Sequence, residues 1–408
     1  MNKHMSKSLL LYTVAILGTI AVGLGCGGDG GPGWAEDGGG ATEAAGKRVF
    51  DESKVHDIKL VVDATDWQAI VAEAAAYENT NPKRPYYRAK VNFDGEDIEG
   101  EIGLRLKGHI SIQLSKDQSF PLKLDFNRYV KGQTLDGLKK LNLNTNFDGP
   151  SLPIMRDYLS YHAWQDFGIA APRTAFARVS VNGKELGVYV LVEQVDGSFL
   201  KRNFDAPRGD LYKPEQETGD LRYRGSSIGD YSDIGHKWPD ESNHSSLLNA
   251  LSVLDKKSGS ELAQVFDVKG VLTYMAGNVA LGSGDYYPET GHNYYLYEVS
   301  PGKFTMLPWD MNGSQESNGP GLCSPRRGLL SNRLFGEPSY EKMYFDLVKQ
   351  FLDTAGSAAS LNKHMDAAVA LLGPTLGAED VKRMREDISR RVEQLKSELE
   401  STPKCDAP

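Results

Sequence analysis

The amino-acid sequence predicts an α+β fold, with a β-rich first half followed by a mainly helical second half. Between residues 55 and 195 most apolar segments are short and alternate with polar residues, as strands with one buried face do. After residue 340 the apolar residues recur at helical spacing. The 408 residues are 40% hydrophobic and 25% charged, which is an ordinary globular composition with enough chain for one large or two moderate domains.

The first 26 residues have the pattern of an export signal. A basic start precedes an apolar run from Leu9 to Leu24, which ends at Gly25-Cys26 and is short for a membrane span. A cysteine directly after such a run resembles a bacterial lipoprotein signal, so Cys26 is the predicted lipidation site. Plain cleavage and a retained leader are the alternatives. We therefore expect an exported protein of the cell envelope that meets the membrane through a lipid anchor only, or is otherwise secreted.

Residues 27–54 are predicted to be a flexible tether, because Gly and acidic residues dominate the first part of this stretch without periodicity. The folded domain is predicted to span residues 55–408. Two further cysteines, Cys323 and Cys405, lie in it. In an exported protein such a pair forms either a disulfide or two buried thiols, and the sequence leaves both open.

The elements of the first half follow from alternation and capping signals. Predicted strands begin near Val55 and then cover residues 88–93, 101–106, 120–126, 174–181 and 186–195, the last two joined by an Asn182-Gly183 hairpin turn. Helices are predicted over residues 66–77 and 151–167, and Gly168 ends the second. Residues 207–243 are rich in Gly, Asp, Tyr and Arg and are predicted to form a long exposed insertion.

The second half centres on a predicted hairpin between Gly284 and Asn312. Its strands, residues 294–297 and 303–307, would bring His292-Asn293 close to Asp310 at one edge. Carboxylate and carboxamide oxygens suit a hard cation such as Mg²⁺. Turn-forming Asp and Asn residues are the alternative explanation. Helices are predicted at residues 247–254, 268–281, 340–352, 359–372 and 379–400.

This order of elements is that of a two-lobed kinase, and individual residues fit the chemistry. Phosphoryl transfer requires a cation near the phosphates, a Mg²⁺ clamp and a positioned base. Lys123 lies mid-strand and could face the cleft, where Asp157 on the next helix could pair with it. Glu193 ends a strand in the place of a kinase hinge, whose backbone would bind adenine. An exposed strand lysine and a solvated helix acid are the alternatives for the first two.

At this point the sequence resembles the CotH-type kinases, named after spore coat protein H, from about Ile102 to Leu352. The matching segments in this chain are residues 103–108 (GLRLKG), 121–126 (PLKLDF), 181–193, 291–297 (GHNYYLY) and 308–310 (PWD). The resemblance implies an atypical protein-kinase-like fold, with a β-rich N-lobe at about 55–196 and a mainly helical C-lobe at about 197–408. It also implies a cell-surface kinase that uses ATP and Mg²⁺ or Mn²⁺ to phosphorylate Ser or Thr of a protein.

The same resemblance implies roles for individual residues. Asp285 would be the catalytic acid or base, with Asn293 beside it. Asp310 would hold the metal together with Asn293. The phosphate-facing residues would be Arg105, Lys107 and Lys123.

Two competing functions remain open on the sequence. The first is a non-catalytic adhesin or pseudokinase of the same fold, which retention of both Asp285 and Asp310 disfavours. The second is a metal-dependent phosphohydrolase, which would need more clustered His and Asp ligands than the chain offers. The formal charge of −9 argues against a general nucleic-acid binder.

Overall fold

The computed structural model describes residues 45–76, 84–108, 110–115, 117–145, 152–215, 219–401 and 405. The predicted signal segment with Cys26, and residues 27–44 of the predicted tether, lie outside them. Strands dominate the first part of the described chain, whose elements are β1 (His56–Val62), α1 (Ala64–Ala75), β2 (Tyr87–Phe93), β3 (Glu96–Asp97), β4 (Ile102–Leu106), α2 (Ile110–Gln113), β5 (Leu122–Asp125), β6 (Lys140–Asn144), α3 (Leu152–Asp166), β7 (Thr174–Val181), β8 (Lys184–Glu193) and α4 (Gly197–Asn203).

Helices dominate the remainder, and one small sheet interrupts them. Its elements are β9 (Leu211–Pro214), β10 (Ile234–Trp238), α5 (Ser245–Lys256), α6 (Val268–Ala280), α7 (Tyr287–Thr290), β11 (Tyr294–Ser300), β12 (Lys303–Pro308), α8 (Leu329–Leu334), α9 (Pro338–Asp353), α10 (Ala358–Leu372) and α11 (Ala378–Glu400). The predicted α+β order is thereby confirmed, β-rich first and helical afterwards.

The strands of the first part close into a barrel. Their order is β1-β7-β8-β6-β5-β4-β2, and β2 pairs back onto β1, while β3 extends the sheet beside the end of β2. The β1–β7 pair is parallel and the other barrel pairs are antiparallel. Because β2 pairs with β1, the described strands close on one another and, within the described residues, leave no long open edge to the barrel.

The sequence of β4, β5 and β6 determines which side chains fill the barrel. Each strand alternates leucines with polar residues, and the leucines (Leu104, Leu106, Leu122, Leu124, Leu141 and Leu143) are fully buried in the barrel core. Because successive side chains of a strand point to opposite faces, the polar residues lie together on the outer face. The sequence alternation therefore predicts both faces of this wall.

A second core forms around α3 and α6. Helix α6 is buried along almost its whole length and packs against α9, α3 and the central hairpin. Its Gly277 allows close contact, because a Cβ there would lie 2.1 Å from the Trp164 ring of α3. This core places α3 against β7 and β8 of the barrel, and the Asp157–Asn144 hydrogen bond connects α3 to the polar face of β6. At the end of the hairpin, the Trp309 ring lies beside Lys107 of the same face.

The predicted central hairpin is confirmed: β11 and β12 pair antiparallel, with Tyr294 opposite Pro308. The predicted exposed insertion at residues 207–243 is wrong. Strands β9 and β10 in that region extend the hairpin into a sheet of order β10-β9-β11-β12. Tyr212 and Tyr231 are buried there, because this stretch covers the hairpin that would otherwise be a bare ribbon.

Three more features differ from, or extend, the sequence prediction. The tether boundary at residue 54 is too late, because residues 45–50 form turns and Val49 and Phe50 are buried against the barrel. Strand β6 was not predicted at all. Cys323 and Cys405 form a disulfide, which decides between the two alternatives. In the part of the chain that the structure describes, no helix combines the length and apolarity needed to cross a membrane.

Candidate active site

The outer face of β4, β5 and β6 is a polar wall. Arg105 lies directly opposite Lys123, and Lys123 lies directly opposite Asn142 in the next strand. Lys107 and Asn144 are two residues further along the same face, and the Lys107 Nζ donates to the Asn144 Oδ1. The register of three neighbouring strands therefore brings three cations and two carboxamides together.

Like charges lie side by side on this wall, with Arg105 directly opposite Lys123. Burial and the positive charges of Arg105, Lys140, Lys213 and Lys107 lower the pKa of Lys123 well below its ordinary value. The Arg105 Nε is buried and has no hydrogen-bond partner. Because like charges in directly opposed strand positions repel, such a row favours a bound anion. The geometry fits a phosphate group.

Asp157, on α3, contacts the end of this wall formed by Asn144 and Lys107, and its hydrogen bond goes to Asn144 and not to Lys123. Its Oδ2 accepts a 2.8 Å hydrogen bond from the Asn144 Nδ2, while its Oδ1 is buried without a partner. Burial and the neighbouring charge of Asp310 raise the pKa of Asp157 to about 7, although Asn144 and Lys107 oppose this.

The predicted Lys123–Asp157 pair is therefore wrong. The Lys123 Nζ donates instead to the Oε1 of Gln194. In the barrel register Lys107, two residues beyond Arg105, is the lysine beside Asn144 and hence beside Asp157.

Asp310 follows β12 in the left-handed backbone region, with φ 57°. Its N–H donates to the Tyr161 hydroxyl at 3.0 Å, and its Oδ1 accepts from the Asn312 Nδ2 at 3.0 Å. The preceding Trp309 packs edge-on against Tyr295. Non-glycine residues in this backbone region cost energy and persist where the surroundings hold them, as at functional sites. The hairpin and α3 thus fix the Asp310 carboxylate beside Asp157.

A second acidic group lies in the loop before the hairpin. The Asp285 carboxylate accepts from the Asn293 Nδ2 at 2.8 Å and lies 3.2 Å from the His292 Nε2. Burial alone would raise the pKa of Asp285, but the hydrogen bonds and charge of His292 and the bond from Asn293 lower it. The side chain is 48% exposed, but its Oδ1 is buried beside His292, so only part of this ionised carboxylate faces solvent.

The predicted polar cluster at the hairpin edge is present. Burial lowers the pKa of His292, but Asp285 raises it above its ordinary value and the charge of Asp310 adds a smaller effect. A Cβ on Gly313 would lie 4.0 Å from the Asp285 Cβ, which places the two acidic loops next to each other. Asn293 was predicted to hold a metal together with Asp310. Its backbone has φ 61°, and its side-chain amide donates to Asp285 instead. The carboxylate next to Asp310 is that of Asp157.

The Glu193 side chain is held inside the fold, whereas the sequence predicted a hinge whose backbone binds adenine. Its carboxylate forms 2.6 Å ion pairs with both Arg173 and Arg202 and is almost fully buried. Its backbone N–H donates to the Arg173 carbonyl at 3.0 Å. The amide and the side chain of Glu193 are both engaged in the fold, so these two groups are not free to bind a nucleotide.

A divalent cation fits the carboxylate side of the site. Within the described ranges no group of three or more His, Cys, Asp or Glu side chains is placed to hold a metal. Asp157 and Asp310 nevertheless supply hard oxygen ligands whose mutual repulsion a cation would relieve, and Asp157 has a spare buried oxygen. Mg²⁺ is commonly held by one or two carboxylates together with phosphate and water oxygens.

Sequence reasoning missed two parts of this site. Asn142 and Asn144 lie on the unpredicted β6, whose alternating KLNLN segment (residues 140–144) is the signal that could have revealed it. Lys213 lies on β9, inside the stretch taken for an exposed insertion, and its charge reaches Lys107 and Lys123.

A row of cationic side chains on the barrel wall and two neighbouring carboxylates characterise the site of this α+β protein. The particular family follows from comparison with known sequences. The chain belongs to the family described as "CotH kinase protein", whose sequence model matches residues 104–404.

Two curated relatives come from Bacillus subtilis (strain 168). "Inner spore coat protein H" is 25% identical over 266 residues, which cover 61% of this chain and 72% of the relative. "Inner spore coat protein H-like protein" is 26% identical over 229 residues, which cover 54% of this chain and 64% of the relative.

One solved structure is more distantly similar. It is titled "Crystal structure of A Helicobacter pylori proinflammatory kinase CtkA", with a TM-score of 0.36 and 12% identity. The match covers 68% of this chain and 90% of that one.

Proposed function

We propose that this protein is a metal-dependent kinase that transfers the γ-phosphoryl group of ATP to Ser or Thr of a protein substrate. The observation that carries the proposal is the row of Arg105, Lys123 and Lys107 on the barrel wall, set against Asp157 and Asp310. Membership of the CotH kinase family supports it. We further propose that the barrel and the helical part act as the two lobes of a kinase, with the site between them.

Each side of the site has a separate task in this proposal. Arg105, Lys107 and Lys123 bind and orient the phosphates, since cations on adjacent strands give a fixed spacing. Asp310 and Asp157 would hold Mg²⁺ or Mn²⁺, and the metal–ATP complex would supply the transferable phosphoryl group. Asp285, ionised and half exposed, would accept the proton of the acceptor hydroxyl.

The His292 and Asn293 side chains hold the Asp285 carboxylate in one orientation. Asp285 is therefore a base whose position does not depend on the nucleotide. Asp310, by contrast, would hold the cation and through it the nucleotide. Loss of Asp310 should therefore impair nucleotide binding, whereas loss of Asp285 should impair only the transfer step.

Substitution of each acid tests the proposal. Asp310→Ala should lose both metal-dependent ATP binding and phosphoryl transfer. Asp285→Ala should bind Mg²⁺-ATP nearly normally and turn over about 10²–10⁴-fold more slowly, the usual contribution of a positioned acid–base group. Calorimetric titration with a non-hydrolysable ATP analogue and Mg²⁺, beside transfer of labelled phosphate from ATP to a generic acceptor protein, measures both.

Asp353→Ala is a matched control, because Asp353 is an acid on α9 that pairs with the lysines Lys349 and Lys396. It should change neither readout. Normal Mg²⁺-ATP binding by Asp310→Ala would refute the assignment of the site. Metal-dependent ATP binding without any transfer by the wild-type chain would favour the adhesin or pseudokinase alternative.

We propose that the protein acts outside the cytoplasm at the cell envelope, held there by a lipid on Cys26. The Cys323–Cys405 disulfide supports an oxidising compartment, and two relatives are named as inner spore coat proteins. Mass spectrometry of the mature N-terminus tests the anchor. A mature chain that starts after Cys26, or that keeps the leader, would refute it.

A further inference from the structure

A narrow groove runs beside the loop that carries Asp285. It has a volume of about 200 Å³ and lies between residues 220–222, helix α7 with Gly291, and residues 327–329. Sites for whole small-molecule ligands are typically about 300–1,000 Å³, so this groove holds one side chain and not a nucleotide. Its position next to Asp285, on a different set of residues from the cationic wall, suggests a role in binding the acceptor.

The walls of the groove are rigid. The Tyr287 hydroxyl accepts a 2.8 Å hydrogen bond from the Leu330 N–H, and the Tyr294 hydroxyl donates to the Gly219 carbonyl at 2.7 Å. A Cβ on Gly328 would lie 2.7 Å from the Tyr287 ring, so only glycine permits the observed approach of the two walls. A rigid groove of this kind needs no ordering when a ligand binds.

The outermost charged groups of the groove are guanidinium groups. Arg222 and Arg327 are 69% and 68% exposed, whereas their partners Asp220 and Glu289 are 35% and 17% exposed. Asp220 is shared with a second arginine, Arg224, at 2.8 Å. An incoming side chain therefore meets exposed guanidinium donors before it meets the carboxylates that they cover. Guanidinium groups bind carboxylate and phosphate oxygens with matched geometry.

We propose that this groove binds an acidic side chain of the protein substrate, a carboxylate or a phosphorylated residue, close to the acceptor Ser or Thr. The inference rests on the proposed kinase function. Helix α7 spans four residues between Asp285 and His292, or about 6 Å along its axis. Because an extended peptide advances about 3.3 Å per residue, this helix has the length of about two residues, which would place the acidic side chain at least two residues from the acceptor.

Peptide binding and phosphorylation test this on the full folded chain. Three short fluorescein-labelled peptides share one Ser acceptor and carry Asp, phosphoserine or Lys at the neighbouring positions two and three residues away. Fluorescence anisotropy gives the Kd of each, and transfer from ATP gives each kcat/KM. We expect the Asp and phosphoserine peptides to bind more tightly than the Lys peptide, with the preference weakening as salt rises.

Variants assign the preference to the groove. Arg222→Ala and Arg327→Ala should each weaken binding of the acidic peptides by about fivefold, the upper range for exposed ion pairs. Arg222→Glu should reverse the preference toward the Lys peptide. Arg390→Ala is the matched control, because Arg390 is 61% exposed and paired with Asp387 on α11. It should leave all three Kd values unchanged.

The outcomes separate this inference from the kinase proposal. Equal Kd values for the three peptides, or a preference for acid that survives in Arg222→Glu and Arg327→Ala, would overturn the groove assignment even in an active kinase. Groove-dependent binding of acidic peptides without phosphoryl transfer would support the groove and count against the kinase proposal. A preference restricted to the phosphoserine peptide supports recognition of an already phosphorylated substrate.

Discussion

Lys123→Met separates the contribution of this lysine to binding from its contribution to stability. Lys123 is partly buried, lies directly opposite Arg105, and has a pKa held well below its ordinary value by burial and by neighbouring cations. Two unit charges repel by about 4 kcal/mol at a separation of about 4 Å and an effective dielectric constant of about 20, and by proportionally less at a larger separation. The variant removes this repulsion at similar side-chain volume, but loses the hydrogen bond to Gln194. We expect a net gain in the free energy of unfolding of about 1 kcal/mol.

Without ligand, Lys123→Met should be more stable than the wild type, and a bound nucleotide should reverse this order of stability. A ligand at about 100 times its Kd stabilises the folded protein by about 2.7 kcal/mol. In Mg²⁺ and a non-hydrolysable ATP analogue at that level, the wild type should become the more stable protein by about 1–2 kcal/mol, because Lys123→Met binds the phosphates poorly. Equilibrium urea unfolding with and without the analogue measures both differences.

The pH dependence of the stability difference between the wild type and Lys123→Met is a second test. Between the lowered pKa of Lys123 and 10.5, the unfolded chain carries the proton and the folded chain does not. Wild-type stability therefore rises with pH through that window relative to the variant, and the advantage of Lys123→Met shrinks.

Lys59→Met is the control, because Lys59 is 58% exposed on β1, and it should change stability by less than about 0.5 kcal/mol. A destabilised Lys123→Met protein that still gains the full nucleotide stabilisation would refute the reasoning.

The remaining predictions concern stability. Replacing Cys323 and Cys405 by Ala, which opens a loop with a sequence separation of 82, should lower the free energy of unfolding by about 4.5 kcal/mol in the chain-entropy model, measured by urea unfolding; an unchanged midpoint would contradict this. Asp94 has a pKa lowered to about 2, because hydrogen bonds from three neighbours outweigh its burial, so its stabilisation is present above about pH 4 and is lost as pH falls through 2. After allowance for solvent screening, Asp94→Asn should cost about 1–2 kcal/mol at pH 7 and progressively less below pH 4, as pH-dependent unfolding curves would show. Asn144→Ala leaves the buried Asp157 carboxylate without its hydrogen bond and should cost about 2–3 kcal/mol in the same urea assay; a cost below 0.5 kcal/mol would show that the bond is dispensable.

Local pattern determined much of this protein. Alternating Leu and polar residues in residues 102–106 and 122–125 predicted both the strands and the face on which Arg105 and Lys123 lie. The Asn182-Gly183 turn and the apolar stripe of the last helix were likewise predicted where they occur. These signals are reliable because they depend on the 2.0 and 3.6 residue periods of the backbone itself. Short family motifs added the hairpin residues Asp285 and Asp310.

Local sequence patterns did not predict elements that are stabilised by contacts between distant segments. Strand β6 has only five residues, and its place in the barrel depends on pairing with both β5 and β8. Residues 207–243 look polar and loop-like, yet β9 and β10 are held by the hairpin that they cover. In both cases the stabilising partner is far away in sequence, so no local window contains it.

The hydrogen-bond partners of the site residues also depended on contacts between distant segments. The sequence put Lys123 and Asp157 on suitable elements and suggested that they pair. Strand register instead places Lys107 and Asn144 beside Asp157, and gives Lys123 to Gln194. Sequence thus determined which residues face the site. Barrel closure and the packing of α3 decided which of them meet, because a shift of two residues along a strand keeps the face and changes the neighbour.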